Sequence, residues 1–184
     1  VEASNLQRQV QFVHTDIGMS KTRAMTDTLE DLNPDITTKI FQTRLSADNA
    51  QSLLAGHDVV LDGTDSFQSR FDVNAAVLQQ QIPLVSGALG RWSGQLACFD
   101  ARRHDSPCYR CLVPQIPPDV QSCETAGVIG ALAGMIGSMM ALEAVKIITG
   151  AGDPLFGQLF VYDALSCESR KVRLSKDKAC PACS

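Results

Sequence analysis

Four cysteines stand as two C-x-x-C pairs, Cys108 with Cys111 and Cys180 with Cys183. Two such pairs supply four thiolates, the usual tetrahedral set for structural Zn²⁺, with Zn–S distances of about 2.3 Å. A two-residue spacer lets both sulfurs of a pair reach one ion while backbone amides support them. The competing reading is a redox dithiol. That motif is normally single and opens a helix, whereas here one pair falls in a loop and the other at the C-terminus. A four-sulfur site would tie the tail to the middle of the chain. It would be structural, because no coordination position stays open. Cys123 stands outside the set, behind the proline-broken run Ile116-Pro117-Pro118-Asp119. It is either a nucleophile or an inert buried thiol, and such a loop is a poor place to bury a side chain. Cys98 and Cys167 fall in strand or strand-end contexts and are expected to pack, and His14, His57 and His104 have no ligand spacing.

A second constellation is Asn5, Arg8, Lys21 and Asp65. Read singly, each is an ordinary solvated polar residue. Together, two cations and an amide near strand ends, with a carboxylate just after an apolar strand, suit a nucleoside triphosphate with Mg²⁺. The cations would neutralise phosphate oxygens and Asp65 would hold the metal. Neither a G-x-G-x-x-G nor a P-loop occurs in these residues.

These residues need elements to position them. VEASNLQRQVQF has no helical period and reads as a loop. Ser20 is placed to cap a helix starting at Lys21, stopped by Asn33-Pro34. Ile36 to Phe41 has the β-branched alternation of a strand, and a short polar helix follows from Ala47 to Leu54. His57 to Asp62 reads as a short buried strand. Asp65 would then lie just outside its carboxyl end, where open parallel sheets bind ligands; Asp62 would order the strand end. A helix from Ser69 to Gln80, strands at Ile82 to Gly87 and Gln95 to Phe99, and a long apolar helix from Val128 to Thr149 come next. Gln158 to Asp163 and Ser169 to Leu174 would pair as an edge hairpin. Alternating strands and helices predict a Rossmann-like α/β fold, mainly parallel and flanked by helices, with an antiparallel strand pair at the C-terminal end.

At 184 residues the chain is the size of one domain, and 45% hydrophobic with 20% charged residues is ordinary globular composition. A net charge of -4 with scattered Lys and Arg gives no reason to expect nucleic acid. Seven cysteines, an odd number, without a secretory signal favour a reducing compartment, and the cytoplasm is the expected address. Ala126 to Leu142 is uncharged and just long enough to span a membrane at about 17 residues, but its glycines and alanines suit tight helix packing equally well. No membrane association is expected.

The ordered segments VEASNLQRQ, GMSKTRA, VVLDGTDS, PLVSGA, GQLACFD, PCYRC, SCETAGVIG, ALEAVKIITG, VYDALSC and CPAC resemble the MoeB/ThiF/HesA family of ubiquitin-activating-type adenylyltransferases. The resemblance covers essentially the whole chain. It implies a Rossmann-type homodimer that uses MgATP to adenylate the C-terminal Gly-Gly carboxylate of a ubiquitin-like sulfur-carrier protein of the MoaD or ThiS kind. By resemblance, Ser4, Asn5, Leu6, Gln7 and Arg8 form the ATP-binding segment with Arg8 on the phosphates. Lys21 is the phosphate-contacting lysine, Asp65 the Mg²⁺-linked aspartate, and Cys123 the crossover-loop cysteine able to link covalently to the carrier. Ser66 is by the same resemblance a nucleotide-binding position, although it stands where the family commonly has an asparagine. The family's first strand and glycine-rich loop have no counterpart, so residues 1–184 are expected to be a single adenylyltransferase domain that is N-terminally incomplete. A zinc-tied module that only binds a ubiquitin-like partner is the non-catalytic alternative.

Overall fold

The computed structural model of the chain describes residues 1–116 and 127–184. Five strands form one sheet in the order β1 (Val60–Asp62), β2 (Leu84–Leu89), β3 (Ser93–Phe99), β4 (Gln158–Asp163) and β5 (Glu168–Arg173). Among the described residues five α-helices accompany them: α1 (Lys21–Leu32), α2 (Ala47–Leu54), α3 (Phe67–Gln80), the single turn α4 (Tyr109–Leu112) and α5 (Gly130–Thr149). The opening segment carries 3-10 turns at Ala3–Asn5 and His14–Asp16.

The sheet is sandwiched because its inner strands are apolar on both faces. Leu84, Ala97 and Phe99 turn toward α3 and α4, joining Val60, Val73, Val77, Ile82 and Tyr109. Their neighbours Val85, Leu96 and Cys98 turn the other way, onto Leu132, Ile136 and Met140 of α5. The period of two along each strand assigns alternate residues to the two cores.

The mixed character of the sheet departs from the mainly parallel expectation. Only β1 and β2 run parallel among the described strands; β2 to β3, β3 to β4 and β4 to β5 are all antiparallel. The physical reason is local: only the short stretch Gly90 to Trp92 separates β2 from β3, too little chain for a parallel crossover, so they close as a hairpin. The expected strand at Ile36 to Phe41 is absent. Its propensity is real, but no described strand offers it a ladder, and Ile36, Ile40 and Phe41 are 40%, 43% and 38% exposed.

The helix boundaries follow their caps. The Ser20 hydroxyl accepts from the Arg23 amide at the start of α1, and Ser66 accepts from the Ser69 amide at the start of α3. Gly150 ends α5 in the left-handed conformation, φ 71°. At its other end α5 begins on Gly130, where a Cβ would collide with the Gln7 carbonyl oxygen and crowd the Arg8 Cα. Both obstacles are backbone, so a side chain there forces the opening segment off the helix. Gly130→Ala is therefore expected to destabilise the protein by about 1–3 kcal/mol, seen as a lowered Tm; an unchanged Tm would contradict this packing. Within the apolar stretch read as suited to tight helix packing, Leu132, Ile136 and Met140 are buried against the sheet.

Candidate active site and metal centre

The four cysteines of the two C-x-x-C pairs converge, with all their Sγ atoms within 4.8 Å of one another. Cys108 Sγ lies 3.6 Å from Cys180 Sγ, and Cys111 Sγ 3.5 Å from Cys183 Sγ. A disulfide needs about 2.05 Å, so these are free thiols. A tetrahedron with Zn–S bonds of about 2.3 Å has sulfurs about 3.8 Å apart, close to the spacing seen. Backbone amides already point at the sulfurs: Cys108 N and Asp177 N each lie 3.4 Å from Cys111 Sγ. Cys108 and Cys180 are buried, and burial pushes the Cys108 thiol up to about 11. Four sulfurs at this spacing, with amide support, could hold one metal ion.

Away from that cluster, a cavity of about 420 Å³ opens beside the carboxyl end of β1. Asn5, Arg8, Lys21 and Asp65 all line it, although they come from three separate segments. Asn5 is buried, and its Oδ1 accepts from the Glu2 amide at 3.0 Å, which fixes the first turn. Arg8 Nη1 donates to the Ser4 carbonyl at 3.0 Å. With its amide oriented to satisfy both neighbours, Gln7 donates to the Val128 carbonyl at 3.2 Å and accepts from Arg8 Nη1 at 3.1 Å. Ser4 and Gln7 thus steady Arg8, and neither they nor Leu6 line the cavity. Lys21 is the first residue of α1 and is exposed. Asp65 is exposed in the β1 to α3 turn. Ser66, next to it, is occupied as the cap of α3 and also lies outside the cavity lining.

Asp62 is buried at the end of β1, 3% exposed. Its Oδ1 accepts from Thr64 N at 2.9 Å and Thr64 Oγ1 at 2.8 Å, so it orders the turn as expected. Its Oδ2 is buried with no hydrogen-bond partner among the described residues. A buried carboxylate oxygen left without a partner beside an Asp-bearing turn is a feature that a cation or a bound donor would satisfy.

One cavity residue escaped the sequence reading. Arg70 lies in α3, is 7% exposed, and lines the cavity. Its Nε donates to the Thr64 carbonyl at 3.0 Å and its Nη2 to the Gly87 carbonyl at 2.9 Å. The signal was present: Arg70, Val73, Asn74 and Val77 share helical spacing and are all buried, so a cation sits on the apolar face of α3. Of the remaining thiols, Cys98 is fully buried as expected, donating to Glu143 Oε2 at 3.5 Å. Cys167 departs from expectation: it is exposed in the β4 to β5 turn at φ 59°, because the hairpin reverses there and carries it outside the ladder. Cys123 lies outside the described residues.

The ThiF family model matches residues 1–182. The chain is 41% identical to the sulfur carrier protein adenylyltransferase of Thermus thermophilus, covering 100% of this chain and 69% of that protein. It is 39% identical to the molybdopterin-synthase adenylyltransferase of Salmonella typhimurium, over 100% of this chain and 73% of that one. It is 40% identical to the probable adenylyltransferase/sulfurtransferase MoeZ of Mycobacterium tuberculosis, of which it spans 47%. Among solved structures, E. coli MccB with MccA-N7isoASN superposes with a TM-score of 0.83 at 15% identity, covering 100% of this chain and 56% of that one. MccB with ATP gives 0.78 at 16% identity, with the same coverage. At that identity the likeness speaks to the fold alone. With a family model matched over nearly its whole length and relatives near 40% identity, the chain belongs to the ThiF family.

Proposed function

We propose that the chain carries the adenylation centre of an enzyme that uses ATP to activate the C-terminal glycine carboxylate of a ubiquitin-like sulfur-carrier protein, serving molybdenum cofactor or thiamine biosynthesis. The observation that carries this reading is the convergence of Asn5, Arg8, Lys21 and Asp65 on one cavity beside the end of β1. The relatives' names, a sulfur carrier protein adenylyltransferase and a molybdopterin-synthase adenylyltransferase, support the choice of substrate.

The chemistry asks little of the protein beyond position and charge. A carboxylate oxygen of the carrier attacks the α-phosphorus of ATP, the bond from that phosphorus to the β-phosphate bridging oxygen breaks, and pyrophosphate leaves. No proton changes hands. Arg8 and Lys21 hold the phosphate oxygens, and Asn5 contributes an amide at the same wall. Asp65 would hold Mg²⁺, with the buried carboxylate of Asp62 close by in sequence; when bound, the ion would supply charge neutralisation at the pyrophosphate. Zn²⁺ on Cys108, Cys111, Cys180 and Cys183 plays a structural part, and the free thiols suit a reducing cytoplasm. Cys123 is assigned, on sequence position, the later step in which its thiolate attacks the acyl carbon and AMP leaves.

Removing Arg8 or Lys21 deletes charge-assisted hydrogen bonds worth about 1.5–3 kcal/mol each. Arg8→Ala and Lys21→Ala are expected to weaken MgATP binding about 10- to 100-fold by calorimetry. Wild-type affinity in both variants would overturn the reading.

The same enzyme is proposed to act as a homodimer. On α5, Leu142, Val145 and Ile148 are 63%, 54% and 62% exposed at helical spacing, an apolar stripe facing away from the sheet. Leu142→Asp with Ile148→Asp is expected to give a monomer by light scattering; a dimer of unchanged stability would exclude this stripe as the interface.

A further inference from the structure

The turn that bears Asp65 has little regular structure of its own, yet its place in the cavity must be fixed if its carboxylate is to hold a cation. Two side chains anchor it. Asp62 pins Thr64 from below through its Oδ1. Arg70 holds the Thr64 carbonyl from the side with both Nε and Nη2, and the same Nη2 reaches across to the Gly87 carbonyl on β2. One planar guanidinium therefore straps the turn to the neighbouring strand. A buried cation is costly unless its donors are met, which gives Arg70 an energetic reason to keep both carbonyls where they are.

Arg70 is itself supported. Its guanidinium carbon lies 5.9 Å from the centre of the Tyr109 ring, within cation–π range. That ring is packed edge-on to Phe99, with centroids 6.2 Å apart, and tilted against Phe71 at 6.1 Å. The backbone of Tyr109 is held from α3: its amide donates to Asn74 Oδ1 at 2.9 Å. Asn74 is 1% exposed, stands one helical turn beyond Arg70, and points its Nδ2 at Cys108 Sγ, 3.8 Å away. Cys108, a member of the four-sulfur cluster, immediately precedes Tyr109 in the chain. The thiol cluster and the Asp65 turn thus lean on one shared support made of Asn74, Tyr109 and Arg70.

We propose that Arg70 is a positioning residue for Asp65 and that Asn74, by fixing Cys108 and Tyr109, carries that positioning back to the metal cluster. The inference rests on the reading of Asp65 as the cation-holding residue. Arg70 does not act on ATP directly in this scheme. It acts through the turn, so its loss should show in the Mg²⁺-dependent part of nucleotide binding rather than in binding as a whole. Lysine is a poor replacement, because one ammonium cannot span two carbonyls as the fork does.

The test is a double-mutant cycle on the full-length natural protein, reading ATP affinity by calorimetry with and without Mg²⁺, alongside metal content and Tm. Arg70→Lys is expected to raise the Kd for MgATP about tenfold, to change the Kd for Mg²⁺-free ATP by less than about threefold, and to retain the bound metal. In an Asp65→Ala background the same substitution should add less than about twofold, since the two residues serve one contact. Asn74→Ala should shift MgATP affinity in the same direction with the metal still bound. Equal losses with and without Mg²⁺, or full additivity with Asp65→Ala, would overturn the proposal and leave Arg70 as a folding residue. If Asp65→Ala alone left MgATP binding unchanged, the site reading would fall first, and this inference with it.

Discussion

Asp65→Ala is expected to lower carrier-dependent ATP–pyrophosphate exchange by about 10²- to 10³-fold while the protein stays folded. The magnitude follows from what the residue is asked to do. A metal ion at a transferring phosphoryl group supplies several kcal/mol of charge stabilisation, and each 1.36 kcal/mol is tenfold in rate. Asp65 is exposed in a turn, so truncating it leaves no cavity in the core. A large fall in rate with an unchanged Tm is thus the signature of a chemical role. A wild-type rate would remove Asp65 from the mechanism.

The second large effect concerns the four-sulfur cluster. Cys108→Ser or chelation of the metal is expected to lower Tm by about 6–12 °C or more. Structural zinc in small domains is worth on the order of 10 kcal/mol. If only a third of that reaches global stability, the loss is about 3 kcal/mol, and about 2–4 °C per kcal/mol is usual for a chain of this size. The geometry explains why the loss would spread. Cys180 and Cys183 anchor the C-terminal tail onto Cys108 and Cys111, and Cys108 also touches Asn74 on α3. Substitution at Cys183, partly exposed like Cys111, should cost less than at fully buried Cys108. A metal-free protein with an undiminished Tm would mean that the thiols pack without an ion.

Much of the fold was legible because its signals are local. The polar helix Ala47–Leu54 and the strand Gln158–Asp163 have the bounds read from periodicity, and Ser20 caps its helix where its side chain predicted. Two C-x-x-C pairs announce their own geometry, so the four-thiol cluster was legible too. What was not legible depends on partners distant in sequence. Ile36 to Phe41 has the composition of a strand, but a strand exists only if a neighbour supplies a ladder. The direction of β3 is set by the short connection from β2, which outweighed the alternation of strands and helices. In the candidate site, residues carried by motifs were readable, whereas Arg70 looked like any helical arginine. Its burial emerges only when Val73, Asn74 and Val77 are seen to share its face. Ser66 belongs to a motif as well, and its hydroxyl also caps α3, a local role that its place before the helix announces.

The measurement closest to the central claim is ATP–pyrophosphate exchange by the full-length protein, run with a candidate sulfur-carrier protein and with the same carrier lacking its terminal glycine. Exchange that needs the intact carrier C-terminus and Mg²⁺, and that collapses in Asp65→Ala, is the expected result. Tight carrier binding without any exchange would contradict adenylation and identify a docking module instead. Exchange indifferent to the carrier's last residue would contradict the assigned substrate.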